Sequence, residues 1–250
     1  MRIVILSDIH SNLVALEAVL AAAGSFDAIW CLGDTIGYGP RPNECVALMQ
    51  QHAKVAITGN HDQACLGKID LRDFNPEARK ANLWNGEQLR AEHRAWLEEL
   101  PAMLPIDDQF FIAHGSPREP IWEYLLSTEA AQANFERFHQ QVCFIGHSHV
   151  QMGFRQREGY DRVERFLPDL QRHPPRNRVI DLSSPCRFFI NPGSVGQPRD
   201  QDPRAAYAIL DTNDATVTFE RVEYAIATTQ RQMVECGLPG PLVRRLEYGM

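Results

Sequence analysis

Residues 58–62 read Thr58-Gly59-Asn60-His61-Asp62, directly after the short apolar run 54–57. This order places them in a turn at the C-terminal end of a predicted strand, where α/β folds form their sites. Four other polar clusters also follow apolar runs: Ser7-Asp8-Ile9-His10, Gly33-Asp34, Ala113-His114-Gly115 and Gly146-His147-Ser148-His149. The sequence therefore predicts a fold that brings five such loops together.

Composition limits the function classes that fit the chain. Its 250 residues, 44% apolar and 23% charged, are enough for one large α/β domain or two small ones. Without a linker or an internal repeat, we interpret residues 1–250 as a single domain. The net charge of −7 argues against an extended nucleic-acid-binding surface.

The cellular context is also predicted from composition. Six scattered cysteines without a CxxC pair do not indicate a disulfide framework. The chain enters a strand at once, with no signal-peptide pattern, and no apolar stretch reaches the ~18 residues that a membrane span needs. We therefore expect a cytoplasmic protein that does not bind a membrane.

The first 60 residues alternate strands and helices. Apolar runs at 2–7, 28–32 and 54–57 predict buried strands, and the helices between them cover about 13–23 and 43–51. This βαβαβ order predicts a parallel sheet with right-handed crossovers. If Asp8 and His10 continue the extended strand, their side chains point to the same side.

The remaining segments do not continue this alternation of strands and helices. Residues 63–101 predict a helical insertion with helices at about 76–84 and 86–100, which either flanks the site or only covers a sheet face. Strands are predicted at 110–113, 142–145 and 187–190, followed by a hairpin of 205–211 with 215–222 and a final helix at 223–236. We expect this second half to form a mostly antiparallel sheet packed on the first.

The polar strand-end residues predict a metal site. Carboxylate, imidazole and amide ligands suit Mn²⁺, Fe²⁺, Ni²⁺ or Zn²⁺, and the set is Asp8, His10, Asp34, Asn60, His114, His147 and His149. Seven ligands are too many for one ion that also binds substrate, whereas two ions about 3.5–4 Å apart would use them. Asp34 stands alone on its loop and is the natural bridge. The other histidines, His52, His93, His139 and His173, look solvated.

The five ordered motifs resemble those of the calcineurin-like metallophosphoesterase superfamily. The match runs from residue 2 to about 150, and the tail 191–199 (Asn-Pro-Gly-Ser-Val-Gly-Gln-Pro-Arg) resembles the small bacterial and archaeal phosphodiesterase branch. The resemblance implies an α/β fold in which two packed mixed β-sheets are flanked by helices, a four-layer α/β/β/α sandwich. It also implies that the site lies at the C-terminal ends of the strands.

The resemblance further implies roles for the ligands. Asp8, His10 and His149 would hold one ion, Asn60, His114 and His147 the other, and Asp34 would bridge them. Mn²⁺ is the first choice for both ions, with iron, nickel or zinc as alternatives. A metal-bridging hydroxide would attack phosphorus, while His61 would face the substrate and stabilise charge or protonate the leaving oxygen.

One departure from the family pattern argues against a protein-phosphatase role. Phosphoprotein phosphatases of this superfamily have a second motif that resembles Gly-Asp-x-x-Asp-Arg-Gly. In this sequence Gly37 and Tyr38 stand in place of the second Asp and the Arg of that motif. The supporting carboxylate and the phosphate-binding arginine are therefore missing from the loop. Arg41 and Arg199 are candidate replacements for the phosphate contact, and Tyr38 is a candidate for the wall of the substrate cleft.

The sequence thus predicts an enzyme, a dinuclear metal-dependent phosphodiesterase or phosphomonoesterase for small phosphorylated substrates such as nucleotides. A protein Ser/Thr phosphatase and a dinucleoside polyphosphate hydrolase are the enzymatic alternatives, and a nuclease is disfavoured by charge. The alternative from another class is a catalytically silent metal-binding scaffold. The sequence leaves the oligomeric state open.

Overall fold

The computed structural model describes residues 1–157, 159–173 and 175–250. Its helices are α1 Leu13–Ala23, α2 Pro42–His52, α3 Asn60–Cys65, α4 Pro76–Gln88, α5 Ala91–Glu99, α6 Thr128–Phe135, α7 Ile226–Glu235 and α8 Gly240–Arg245. Its strands are β1 Arg2–Leu6, β2 Ala28–Cys31, β3 Ala53–Ala56, β4 Met103–Pro105, β5 Phe110–Ala113, β6 Val142–Phe144, β7 Gln151–Arg157, β8 Val163–Phe166, β9 Val179–Asp181, β10 Cys186–Pro192, β11 Ala205–Asp211 and β12 Thr216–Val222.

These strands form two mixed six-stranded sheets with helices outside, as the resemblance implied. The first has the order β3-β2-β1-β11-β12-β9 and the second β4-β5-β6-β10-β7-β8. The predicted parallel βαβαβ unit and the late hairpin are both confirmed. The predicted division into an N-terminal and a mostly antiparallel C-terminal sheet is wrong. The hairpin joins the first sheet through β1, and β5, β6 and β10 run parallel in the second.

Strand β1 shows why the sheets pack as they do. Ile3 and Ile5 belong to the apolar core between the sheets, whereas Val4 and Leu6 belong to the core under α1. Successive side chains of a strand point to opposite faces, so a continuous apolar run needs cover on both sides. A strand that is buried on both faces lies inside its sheet. Strand β1 therefore has β2 on one side and β11 on the other.

The helical insertion lies beside the polar loops, which resolves the open alternative. Its first helix was predicted to end at residue 84, but α4 continues to Gln88 and α5 starts only at Ala91. Gly86 lies within α4 at a point where the helix backbone packs closely against α3. An added Cβ there would lie 2.3 Å from the Cys65 carbonyl oxygen, so the position requires glycine. Buried Asn82 and Asn85 on α4 face the polar loops.

Other local predictions need correction. The pentapeptide at 58–62 does not remain a turn, because Asn60 begins α3. The strands β4 and β9 and the helix α8 were not predicted. His93 was expected to be solvated but is only 5% exposed, and its Nδ1 lies 2.9 Å from Asn43 Oδ1. Within the described ranges, no helix combines the length and apolar character needed to cross a membrane.

Candidate metal centre

The five polar loops meet at the C-terminal ends of β1, β2, β3, β5 and β6. Two groups of side chains each place possible ligand atoms within 4.8 Å of one another. The first group is Asp8, His10, Asp34 and His149, and the second is Asp34, His114 and His147. Asn60 Oδ1 joins the second group, 3.2 Å from His114 Nε2. Asp34 therefore lies between two clusters of potential ligands.

Unusual backbone geometry makes this convergence possible. Ten non-glycine residues of the described chain have positive φ, and seven lie in these loops: Asp8, His10, Ser11, Asp34, Tyr38, His147 and His149. Such left-handed residues cost about 1–3 kcal/mol each and persist where surrounding structure enforces them. The expectation that Asp8 and His10 converge by continuing the strand is therefore wrong, because both turn out of it.

The carboxylates of Asp8 and Asp34 each accept a backbone hydrogen bond on one of their two oxygens. The backbone N–H of His147 donates to Asp8 Oδ2 at 3.0 Å, and the backbone N–H of His61 donates to Asp34 Oδ1 at 2.8 Å. The other oxygens, Asp8 Oδ1 and Asp34 Oδ2, are buried and accept no hydrogen bond from the described residues. A buried carboxylate oxygen without a donor is costly unless a cation lies beside it.

The four candidate ligand histidines are oriented by backbone carbonyl groups. Nδ1 of His10, His114 and His149 lies 3.2, 2.8 and 2.6 Å from a carbonyl oxygen, and His147 uses Nε2 in the same way at 3.2 Å. In a neutral ring the nitrogen beside a carbonyl carries the proton, so the opposite nitrogen has a free lone pair. In each ring that opposite nitrogen is available as a ligand once the ring is neutral.

Together these contacts fit divalent cations. The Nε2 atoms of His10 and His149 are 3.0 Å apart, and Asp8 Oδ1 lies 3.2 Å from His149 Nε2. Lone pairs gathered at such distances repel one another without a positive charge between them. With nitrogen and oxygen donors and no cysteine among them, the set suits Mn²⁺, Fe²⁺, Ni²⁺ or Zn²⁺.

His61 lies beside these groups without belonging to either. Its Nδ1 is 2.8 Å from Asn82 Oδ1 on α4, and its ring contacts the rings of Tyr38 and Phe74 with centroids 4.3 and 5.0 Å away. Gly37, where the phosphoprotein phosphatases have their carboxylate, leaves no room for one. A Cβ there would lie 3.1 Å from Asn82 Oδ1. Asn82 thus occupies the place of the missing supporting group.

Comparison with known proteins agrees with this geometry. Residues 1–215 match the model of the calcineurin-like phosphoesterase superfamily domain. The chain belongs to this superfamily. A curated relative from Methanocaldococcus jannaschii, described as an uncharacterized protein, is 36% identical over 254 aligned positions that cover 99% of this chain and 98% of the relative.

Two solved structures share the metallophosphoesterase fold over the whole chain. The crystal structure of a metallophosphoesterase from Sphaerobacter thermophilus is 50% identical with a TM-score of 0.88, covering 100% of this chain and 99% of that one. A hypothetical protein from Pyrococcus horikoshii is 19% identical with a TM-score of 0.77 and covers 100% and 98%. At that identity the second likeness shows the fold alone.

Burial and charge shift the pKa values of the metallophosphoesterase centre in opposite directions. Burial opposes ionisation of Asp34, but His114 and His61 lower its pKa below the usual range. Burial lowers the pKa of His114, but the charge and hydrogen bond of Asp34, together with the charge of Asp8 and the Leu32 carbonyl, raise it to about 9. Burial lowers the pKa of His61 to about 4 and that of His147 to about 3. Before a metal binds, the positive charge thus resides on His114.

Asp62, the last residue of the stretch 58–62, has a structural role. Its two oxygens accept hydrogen bonds from the backbone N–H groups of Ile36 and Gly59, each at 3.0 Å. Burial, followed by the charge of Asp34, raises its pKa to about 7. Asp62 ties the second loop to the start of α3 and does not join the ligand groups.

The predicted substrate contacts are placed differently from one another. Tyr38 is 4% exposed, and its ring centroid lies 4.7 Å from that of His10. Arg199 donates to the Tyr38 hydroxyl at 3.3 Å, which places it at the rim of the metal centre. Arg41 instead lies 3.7 Å from Glu44 at the surface. The structure therefore brings Tyr38 and Arg199 to the centre but not Arg41.

Sequence reasoning missed Asn82 and the carbonyl groups that orient the histidines. Trp122 is one example, because it contributes its main-chain oxygen to His147. A single asparagine within a charged helix carries no pattern, and backbone carbonyls leave no mark in the residue type. A signal was available only indirectly, from the absence of a carboxylate at Gly37, which requires another partner for His61.

Proposed function

We propose that the protein is a dinuclear metal-dependent phosphohydrolase that acts on a small phosphorylated substrate such as a nucleotide. The observation that carries the proposal is the position of Asp34, which is shared by two separate groups of buried ligand atoms. A single carboxylate between two such groups is the arrangement that a two-ion centre requires. Membership of the phosphoesterase superfamily supports the same chemistry.

In this proposal Asp8, His10 and His149 hold one ion, Asn60, His114 and His147 hold the other, and Asp34 bridges them, with Mn²⁺ as the first choice. When bound, two such ions supply an activated water nucleophile and stabilise charge on the transferring phosphoryl group. The backbone N–H bonds to Asp8 and Asp34 keep the free carboxylate oxygens turned toward the centre.

His61 is proposed as the catalytic residue that faces the substrate. Its Nδ1–H donates to Asn82, which fixes the ring and leaves Nε2 for a phosphate or leaving-group oxygen. Because burial lowers the pKa of His61, a protonated ring gives up its proton readily to the leaving oxygen. The substrate is proposed to be small because the rings of Tyr38, Phe74 and Trp122 lie over this side of the centre.

The test is hydrolysis of bis-p-nitrophenyl phosphate and p-nitrophenyl phosphate by metal-stripped protein reloaded with Mn²⁺, Ni²⁺, Zn²⁺ or Mg²⁺. We expect metal-dependent turnover that falls at least about 100-fold in His61→Ala and Asp34→Asn. His139→Ala, which removes an exposed histidine, is the matched control and should keep wild-type activity. Bound metal without turnover on either ester would favour the silent scaffold, and no bound metal would refute the proposal.

A further inference from the structure

The loop 115–125, between β5 and α6, contacts one candidate metal ligand at two points. The main-chain oxygen of Trp122 lies 3.2 Å from Nε2 of His147. The ring of Tyr124 stacks on the His147 imidazole, with centroids 4.0 Å apart and planes inclined by 16°. The carbonyl oxygen accepts the ring N–H, and the stacked ring restricts rotation of the imidazole. Together these contacts fix the direction in which Nδ1 of His147 points.

Glu123 lies between these two residues, and its carboxylate is held inside the loop. It accepts hydrogen bonds from Ser116 Oγ at 2.5 Å and from Asn134 Nδ2 at 2.9 Å, and it pairs with the Arg118 guanidinium. The Glu123 side chain is 14% exposed, whereas Ser116 and Asn134 are fully buried. Burial opposes ionisation of Glu123, but its three partners hold its pKa below the usual range. The carboxylate is therefore charged at neutral pH.

The partners of Glu123 also bind the backbone of the loop 115–125. Ser116 Oγ accepts a hydrogen bond from the backbone N–H of Glu119 at 3.0 Å. Asn134 Oδ1 on α6 accepts one from the backbone N–H of Arg118 at 2.9 Å. The Glu123 carboxylate therefore connects the middle of the loop both to its beginning and to α6, and its removal would leave two buried polar side chains without their charged partner.

The loop 115–125 begins next to a second ligand of the same group. Gly115 follows His114, and its backbone N–H donates to the Pro120 carbonyl oxygen at 2.6 Å. A Cβ at Gly115 would lie 3.0 Å from the Glu123 carbonyl oxygen, so the two parts of the loop are closely packed there. His114 and His147 belong to the same group of possible ligand atoms. The loop thus contacts that group at both of its histidines.

The other ligand group is oriented by different segments. Nδ1 of His10 faces the Ile36 carbonyl oxygen, and Nδ1 of His149 faces that of Gln197. Neither carbonyl belongs to the loop 115–125. A displacement of this loop should therefore change the two ligand groups unequally.

We propose that Glu123 is a positioning residue, which holds the loop 115–125 so that the Trp122 carbonyl fixes His147 as a metal ligand. The inference rests on the proposed dinuclear function, and it gives Glu123 no part in the chemical step. Groups that orient a metal ligand typically change metal affinity by about 10–100-fold when they are removed. Loss of the Glu123 carboxylate should therefore weaken the ion held by Asn60, His114 and His147 and affect the other ion much less.

The test measures Zn²⁺ binding to the metal-stripped full chain by equilibrium dialysis, where wild-type protein should bind two ions. Glu123→Gln keeps the size of the side chain but turns an amide toward the donors, and we expect one of the two ions to bind about 10–100-fold more weakly. Ser116→Ala removes one donor and should cause a smaller change in the same direction. Glu119→Gln is the matched control, since it removes an exposed carboxylate from the same loop and should keep both affinities.

A spectroscopic readout separates positioning from a general loss of stability. With its proton on Nε2, His147 should bind Zn²⁺ through Nδ1, whereas His10, His114 and His149 should bind through Nε2. Two-bond nitrogen–hydrogen correlation spectra of labelled histidines distinguish these two modes. In Glu123→Gln we expect the Nδ1-bound signal of His147 to broaden or disappear, while the three Nε2-bound signals persist.

The possible outcomes separate the inference from the proposed function. Two ions bound by wild-type protein, with unchanged affinities in both Glu123→Gln and Ser116→Ala, would overturn the inference alone. Equal weakening of both ions, or equal loss of all four histidine signals, would also overturn it, because a merely structural residue would have that effect. Wild-type protein that binds fewer than two ions would refute the proposed dinuclear centre itself.

Discussion

Replacing Asn82 with Asp tests how His61 is tuned. Asn82 is fully buried, and its Oδ1 lies 2.8 Å from His61 Nδ1. The substitution has nearly the same shape but places a negative charge against the imidazole. An opposite charge at this range raises a histidine pKa by about 1–3 units. From a wild-type value of about 4, we expect a pKa of about 5–7 in the variant.

The consequence at pH 7 follows from those values. About 0.1% of His61 is protonated when its pKa is 4, compared with about 1–50% when the pKa is 5–7. If protonated His61 delivers the leaving-group proton, the pH at which kcat begins to fall on the alkaline side should move upward by the same 1–3 units. Both the pKa and the rate profile are therefore expected to shift together.

The assay is an NMR titration of labelled histidines in metal-free protein, the state to which the pKa of about 4 applies, paired with the pH dependence of kcat of the metal-loaded protein for bis-p-nitrophenyl phosphate. Gln88→Glu is the control, because it adds the same charge at an exposed position of α4 and should leave the pKa of His61 unchanged. An unshifted His61 pKa in Asn82→Asp, or an equal shift in Gln88→Glu, would refute the role assigned to Asn82.

Three further predictions follow from the centre and the core. In metal-free protein the pKa of His114 is about 9, above its ordinary value of 6.5. Protonation of His114 therefore stabilises the fold fully below pH 6.5, and this stabilisation is lost as the pH rises through 9. Metal binding must displace the same proton, so calorimetry at pH 7 in two buffers should show about one proton released, and less in Asp34→Asn. Gly59→Ala would place a Cβ 2.1 Å from Asp34 Oδ1, and we expect weaker metal binding by about 10–100-fold in equilibrium dialysis. Phe144→Ala empties a fully buried position between the sheets and should lower the free energy of unfolding by about 3–5 kcal/mol in urea titrations.

The candidate ligands could be predicted from sequence because their signal is local. Each of Asp8, Asp34, Asn60, His114 and His147 follows an apolar run within a few residues, and parallel strands end at one edge of a sheet. Residue type then indicates the chemistry. The structure gathers these side chains without requiring any information about distant pairing.

The remaining features depend on contacts between distant segments. The pairing of β1 with β11 joins residues about 200 positions apart, and the apolar character of both strands is compatible with several neighbours. Asn82 reaches the centre from a helix whose sequence resembles an ordinary surface helix. Its placement follows from the packing of α4 against Tyr38, which residue patterns do not encode.

The pairing of β1 with β11 has a consequence for the order in which the protein can fold. Strand β1 leaves the ribosome long before its neighbour Ala205–Asp211, which is translated some 200 residues later. Until then one edge of an apolar strand stays open, and an open edge readily pairs with other chains. Closing so long a loop is slow. Nascent chains are therefore most prone to aggregation before β11 arrives, when every candidate ligand has already been synthesised.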